Sequence, residues 1–362
     1  MFKSVLSLTL AAALGTASFG QTTLTAVPGE AAAAKYASIS QEILRAIEKG
    51  NEYLKSKQNP EGYWAQPSYP ALTALAVTAY MRDPANQGKP LPEYIRKGYD
   101  FILKSQKEDG SIFNRGMSSY NTAVCMMALL AANKEEYAPA ILKGRAYLIK
   151  QQNHFAPDNP YNGGIGYGDK QAPPIADLSN TSLALEAIYY SQKLAKDGKY
   201  GEQPDLDWNA ATEFINRCQQ NPAVNKEPWV SNDKSQLGGF VYRPGVSSAK
   251  DKKSAAFDKA EPPKAYGSMT YAGMQSLIYA NVDKNDPRVK LALKWLENSY
   301  NLDENPGMGV QGLYYYYQAM SKALSAMGID TLTLEDGRKV DWRDELANKL
   351  ISIQKSDGSW VN

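Results

Sequence analysis

Apolar residues recur at helical spacing along most of this chain, but in two different ways. In residues 39–57, Ile39, Ile43, Leu44, Ile47 and Leu54 fall on one face with charged residues between them, the pattern of a helix half in water. Residues 69–81, 119–132, 178–194, 268–281 and 311–327 are apolar or small on every side, as in Thr73-Ala74-Leu75-Ala76-Val77-Thr78-Ala79. A helix of that kind is surrounded by protein. The two kinds alternate along the chain, which predicts an all-α fold of two concentric layers, half-polar helices outside and apolar helices inside.

The outer helices share a register. The interval from Gly50 to Gln58 is repeated from Gly98 to Gln106, Gly144 to Gln152, Ala211 to Gln219 and Leu346 to Gln354. Tyr53, Phe101, Tyr147 and Phe214 hold the third position after the first residue, and a degenerate copy has Ala292, Trp295 and Tyr300 where glutamine would stand. Repeats of about this length stack so that neighbours bury each other's faces. After three of the helices comes Gln-x3-Gly, at Gln58–Gly62, Gln106–Gly110 and Gln354–Gly358, twice followed by Gly-x-Trp ending at Trp64 and Trp360. Glycine there closes a helix end in the left-handed conformation, glutamine donates to loose carbonyls, and tryptophan covers the turn. This reads as structure, not chemistry.

Two insertions interrupt the repeats. Residues 153–176 include Gly163-Gly164-Ile165-Gly166-Tyr167-Gly168, which no strand pattern precedes, so it is not a dinucleotide fingerprint. Residues 227–267 carry Gly238-Gly239-Phe240, expected at a cavity mouth, and a lysine-rich stretch at 247–264 expected as a surface excursion.

Composition narrows the class. The 362 residues carry 40 basic and 38 acidic side chains, a formal net charge of +2 without the basic excess of a nucleic-acid binder. Lys3, the apolar run 5–17 and Ser18-Phe19-Gly20 have the form of an export signal cut after Gly20. This predicts a periplasmic or secreted protein with a flexible leader over 21–38, the two-layered helical domain at 39–362, and no transmembrane helix in the mature chain. Cys125 and Cys218 lie on different helices and are expected as buried free thiols.

The Gln-x3-Gly-x-Trp turns, the preceding Gly-x2-aromatic spacing and the apolar helix that follows resemble the squalene-hopene cyclase and protein prenyltransferase superfamily, over residues 39–362. The resemblance implies an α/α toroid of outer and inner helix pairs around a central cavity. It also implies isoprenoid-like ligands, with aromatic side chains that stabilise carbocations. Cyclases of the family protonate their substrate through Asp-x-Asp-Asp-Thr at the start of an inner helix, the proton coming from the central carboxylate. The corresponding segment is Asp177-Leu178-Ser179-Asn180-Thr181. Asp177 and Thr181 match, whereas Ser179 and Asn180 replace the second and third carboxylates. A serine hydroxyl cannot protonate an alkene, so Asp177 is either the general acid of a cyclase or an N-cap. The zinc of the prenyltransferases needs Asp, Cys and His together, and the lone His154 sits in a loop apart from both cysteines. No metal or other cofactor is expected. The Cys-Gly-Glu-Gln element of thioester toroids is absent, and no pattern supports a lyase using tyrosine as base with Asn180.

The expected function is therefore to bind a hydrophobic, isoprenoid-like ligand or a protein partner in the cavity, the alternative being a terpenoid cyclase working through Asp177. The expected ligand contacts are Ser179, Asn180, Tyr120, Phe240, Tyr271 and Tyr314, of which Tyr314 opens a run of four tyrosines on an inner helix. The sixth outer helix, residues 342–354, has no apolar helix after it. That predicts a gap between the fifth and first inner helices, exposing flanks of Leu72 and Val77 to self-association, a partner chain or the N-terminal segment.

Overall fold

The computed structural model describes residues 30–168, 175–249 and 262–361. The segment read as an export signal and most of the lysine-rich stretch lie outside them. Outer helices α1 (Glu30–Ser56), α3 (Glu93–Lys104), α5 (Ala138–Lys150), α7 (Trp208–Cys218), α9 (Pro287–Asn298) and α11 (Trp342–Ile353) alternate with inner helices α2 (Pro70–Arg82), α4 (Ser118–Ala132), α6 (Leu178–Lys196), α8 (Gly267–Tyr279) and α10 (Leu313–Met327). Each inner helix packs beside the next from α2 to α10; the outer helices α1 to α9 pack onto them, and α11 packs against α1. The chain is an all-α toroid. A short antiparallel hairpin, β1 (Thr331–Thr333) with β2 (Lys339–Asp341), joins α10 to α11. Helix α1 begins at Glu30, inside the stretch expected to be a leader.

The glutamines do more than end their own helices. In each repeat the side-chain amide donates once to its own turn glycine and once to a carbonyl of the following outer helix. Gln58 reaches Gly62 O and Tyr94 O, Gln106 reaches Gly110 O and Ala140 O, and Gln152 reaches Gly163 O and Asp207 O. Gln219 reaches Gly238 O and Arg288 O. Gln354 reaches Gly358 O at 3.0 Å and Ala46 O of α1 at 2.8 Å, so the last outer helix clasps the first. Tyr300 stands in for the missing glutamine, its hydroxyl bonded to Glu345 of α11 at 3.0 Å. The loose helix-end carbonyls are taken by tryptophan: Trp64 Nε1 donates to Leu54 O and Trp360 Nε1 to Leu350 O.

Gln354→Ala should therefore cost about 1–2 kcal/mol, concentrated where the outer ring closes. Hydrogen exchange is expected to quicken in α1 and α11 while α4 and α6 keep their protection; an unchanged pattern in α1 would rule out the clasp.

The two glycine strings complete the same motif, with residues 153–162 and 220–237 placed between glutamine and glycine. Gln152 bridges to Ile165 and Gln219 to Phe240 as Gln58 does to Trp64 and Gln106 to Ile112. In all four repeats the backbone N–H of that apolar residue donates to a threonine of the inner helix: Trp64 to Thr73, Ile112 to Thr122, Ile165 to Thr181 and Phe240 to Thr270, at 2.8–3.1 Å. Gly238-Gly239-Phe240 is thus a repeat turn and not a cavity lip. Phe240 is fully buried, its ring lying where a Cβ on Gly273 would fall.

The inner run stops at α10, which does not pack against α2 as the other neighbours pack. The expected exposure of Leu72 and Val77 is not found: both are buried. Val77 points outward against α3, where a Cβ on Gly98 would stand 2.6 Å from its Cγ1. Val77 thus serves the contact between layers and not the lumen. Cys125 and Cys218 are buried free thiols. Among the described residues no helix is long and apolar enough to cross a membrane.

Candidate ligand cavity

The threonine latches fix which inner-helix positions face the centre. Counting from the threonines of α4 and α6, the residues two before, two after and five after turn toward the lumen. On α4 these are Tyr120, Val124 and Met127, and on α6 Ser179, Leu183 and Glu186. On α2 the lining residues are Leu75, Thr78 and, one turn further, Arg82. Helix α10 has no threonine latch and presents Tyr315, Gln318 and Lys322. Together they enclose a cavity of about 300 Å³, at the small end of ligand pockets. Helix α8 contributes no lining residue. Helix α10 packs along α8 and also reaches α6, through Tyr315 OH to Ser179 Oγ at 3.3 Å and Lys322 Nζ to Glu186 Oε2 at 2.8 Å. These two contacts are seven residues apart on both helices, about 10 Å along their axes.

The cavity is consequently graded along its length. Near the inner-helix N-termini it is ringed by the hydroxyls of Tyr120, Ser179 and Tyr315. Burial pushes the Tyr120 phenol up to about 12 and that of Tyr315 higher still, so both are neutral donors and acceptors at ordinary pH. An apolar belt of Leu75, Val124, Met127 and Leu183 follows. At the far end stand Arg82, Glu186 and Lys322, with Tyr190 and Tyr279 close enough to Arg82 to act on its charge. Burial lowers the Arg82 pKa, and Glu186 offsets part of that.

Asp177 is the N-cap of α6. Its Oδ1 accepts from Asn180 N at 2.9 Å and its Oδ2 from Asn180 Nδ2 at 2.7 Å. It is 2% exposed and lies outside the lining of the cavity. Burial raises its carboxyl to about 6, partly opposed by the Asn180 hydrogen bonds, the Tyr242 hydroxyl and the charge of Arg243. Two positions on, Ser179 occupies the lumen-facing place where a cyclase of the resembling family carries its central carboxylate. Thr181, the other match to that family's motif, is the repeat's latch to Ile165.

Of the residues expected to contact a ligand, the structure brings Ser179 and Tyr120 to the cavity. Asn180 is buried on Asp177. Tyr271 packs in the wall, its ring 5.6 Å from that of Tyr316. Tyr314 turns to the C-terminal tail, where its hydroxyl donates to Val361 O at 3.3 Å. Phe240 fills its turn, as described. Of the four consecutive tyrosines it is Tyr315 that faces inward, because seven residues separate it from Lys322 on the same stripe. The charged end went unanticipated, although Glu186 stands out within Leu183-Ala184-Leu185-Glu186-Ala187-Ile188. His154 is an exposed loop residue.

No known family model matches the chain. Among solved structures it is similar to an alanine variant of MstE, a type II terpene cyclase from Scytonema in complex with merosterolic acid A as product. The identity is 14%, over 90% of this chain and 86% of that one, with a TM-score of 0.44. That likeness lies between helical arrangements and says nothing of what this chain binds or turns over.

Proposed function

We propose that this chain is a divergent, non-catalytic member of the squalene-hopene cyclase and prenyltransferase superfamily whose lumen holds a small ligand with an apolar body. The observation that carries the reading is the exchange of places at the start of α6. Ser179 faces the lumen, and the carboxylate of Asp177 is spent on the N-cap. A carboxyl raised to about 6 is also a weaker acid than an ordinary aspartate, the opposite of what alkene protonation asks. The carboxylate that does line the lumen, Glu186, is held by Lys322. Without a proton donor the remaining belt of Leu75, Val124, Met127 and Leu183 supplies binding, at about 25 cal/mol for each Å² of apolar surface covered. The segment 1–20, read as an export signal, would place this activity in the periplasm or outside the cell.

The test is to purify the full chain from a lipid-replete host, extract it with organic solvent, and incubate a second sample with farnesol and with squalene. The expected result is a stoichiometric small molecule in the extract and both polyprenyl compounds returned unaltered. A cyclised product whose formation is lost in Asp177→Asn would overturn the reading in favour of a cyclase.

A further inference from the structure

The two ends of the lumen differ in charge, and that difference restricts what fits. Among the described residues, Arg82 and Lys322 bring two cations to one end, and Glu186 is the one carboxylate that lines it. Lys322 is 17% exposed in its side chain and Glu186 5%, so little water reaches this end to screen the imbalance. The Glu186–Lys322 pair at 2.8 Å uses the carboxylate once. Arg82 shares what remains of it, and the phenols of Tyr190 and Tyr279 also lie close enough to act on its charge. Arg82 also closes the last turn of α2, where the helix dipole favours a cation.

We propose that the ligand is an anionic amphiphile, seated with its acidic head, a carboxylate or phosphate monoester, at Arg82 and Lys322 and its hydrocarbon body along Val124, Met127 and Leu183. This inference rests on the lumen being a ligand site, as proposed above. Three ligand classes would meet this end differently. A neutral apolar molecule would displace water from the two cations that line this end and return nothing for it. A cationic amphiphile would meet like charge. An anionic head completes the neutralisation, and a planar guanidinium offers it two parallel donors. The phenol ring of Tyr120 and Tyr315, about 10 Å away, leaves room for an apolar body between.

The experiment titrates the full chain by calorimetry at pH 7.5 with decanoate, decyl phosphate, decanol and decylamine, four probes with one chain length and different heads. Decanoate or decyl phosphate is expected to bind at least about tenfold more tightly than decanol, with decylamine weakest. Arg82→Gln should bring acid and alcohol within about twofold of each other, and Lys322→Gln should narrow the gap independently, so that one misfolded variant does not decide the matter. Glu186→Gln should widen it, which simple loss of packing would not do. Decanol binding as well as both acids would overturn this inference while leaving the apolar lumen intact. Failure of all four to bind would overturn both.

Discussion

Gly62→Val and Gly110→Val are expected to lose about 3 kcal/mol each, the sum of a strained backbone and a displaced helix. Gly62 has φ of +94° and Gly110 of +89°, a region β-branched residues avoid. The larger effect comes from the neighbour. A Cβ on Gly62 would lie 2.5 Å from Lys97 O of α3, and one on Gly110 2.2 Å from Lys143 O of α5. Those carbonyls belong to helix backbone and cannot turn aside as a side chain would. The separate contribution of φ can be read from Gly337→Val, where φ is +83° with nothing within 4 Å of the added Cβ. That variant should cost about 1 kcal/mol. For a domain of this size the turn variants should melt roughly 5–10 °C lower, measured by circular dichroism. Equal losses at Gly337 and Gly62 would mean that conformation alone, and not the approach of the next helix, makes glycine necessary.

The same contacts explain why the toroid was legible in the sequence. A glycine that must touch the next helix, a glutamine that must span two helices and an apolar lid recur wherever the packing recurs, and repetition separates them from chance. Insertions hide the motif without breaking it, because residues 153–162 and 220–237 leave from and return to the same two bonded partners, Gln152 with Gly163 and Gln219 with Gly238. Phe240 was read as cavity-lining for that reason: its glycines looked like a loop feature once separated from Gln219. Exposure of Leu72 and Val77 was misjudged because an all-apolar helix does not reveal which of its faces meets the outer layer. On α4 and α6 the threonines answer this, since Thr122 and Thr181 mark the face latched to the turns and so set the lumen stripe by counting.

The cavity's charged end was harder to see. Arg82, Glu186 and Lys322 lie on three helices far apart in sequence, and no local pattern ties one to another. What brings them together is the inward position of α10, which reaches α6 as well as α8. Local pattern does not encode that movement. It follows from how, among the described residues, five inner helices share a ring closed by six outer ones, as the Gln354 and Tyr300 contacts close it.

Asp177→Asn should flatten a pH dependence that the wild-type fold carries between about pH 4 and 6. Burial raises the folded-state carboxyl from 3.8 to about 6. Below pH 4 both folded and unfolded chains hold the proton at this site, and its contribution to stability is fully present. Between the two values the unfolded chain has released the proton while the folded chain still binds it, so stability falls as pH rises. Above about 6 the contribution has gone. About two pKa units correspond to a loss of roughly 3 kcal/mol across that window. Asparagine stays neutral and can still accept from Asn180 N as an N-cap, so the variant should keep α6 capped and lack this titration. Subtracting urea-unfolding free energies of wild type from those of the variant cancels the other titrating groups. The difference should shift by roughly 3 kcal/mol in the variant's favour from pH 4 to pH 7. A constant difference would mean that Asp177 titrates alike in both states. A shift of opposite sign would mean that Tyr242 and Arg243 hold the ionised form more firmly than burial opposes it, making Asp177 a stronger acid than the N-cap reading allows.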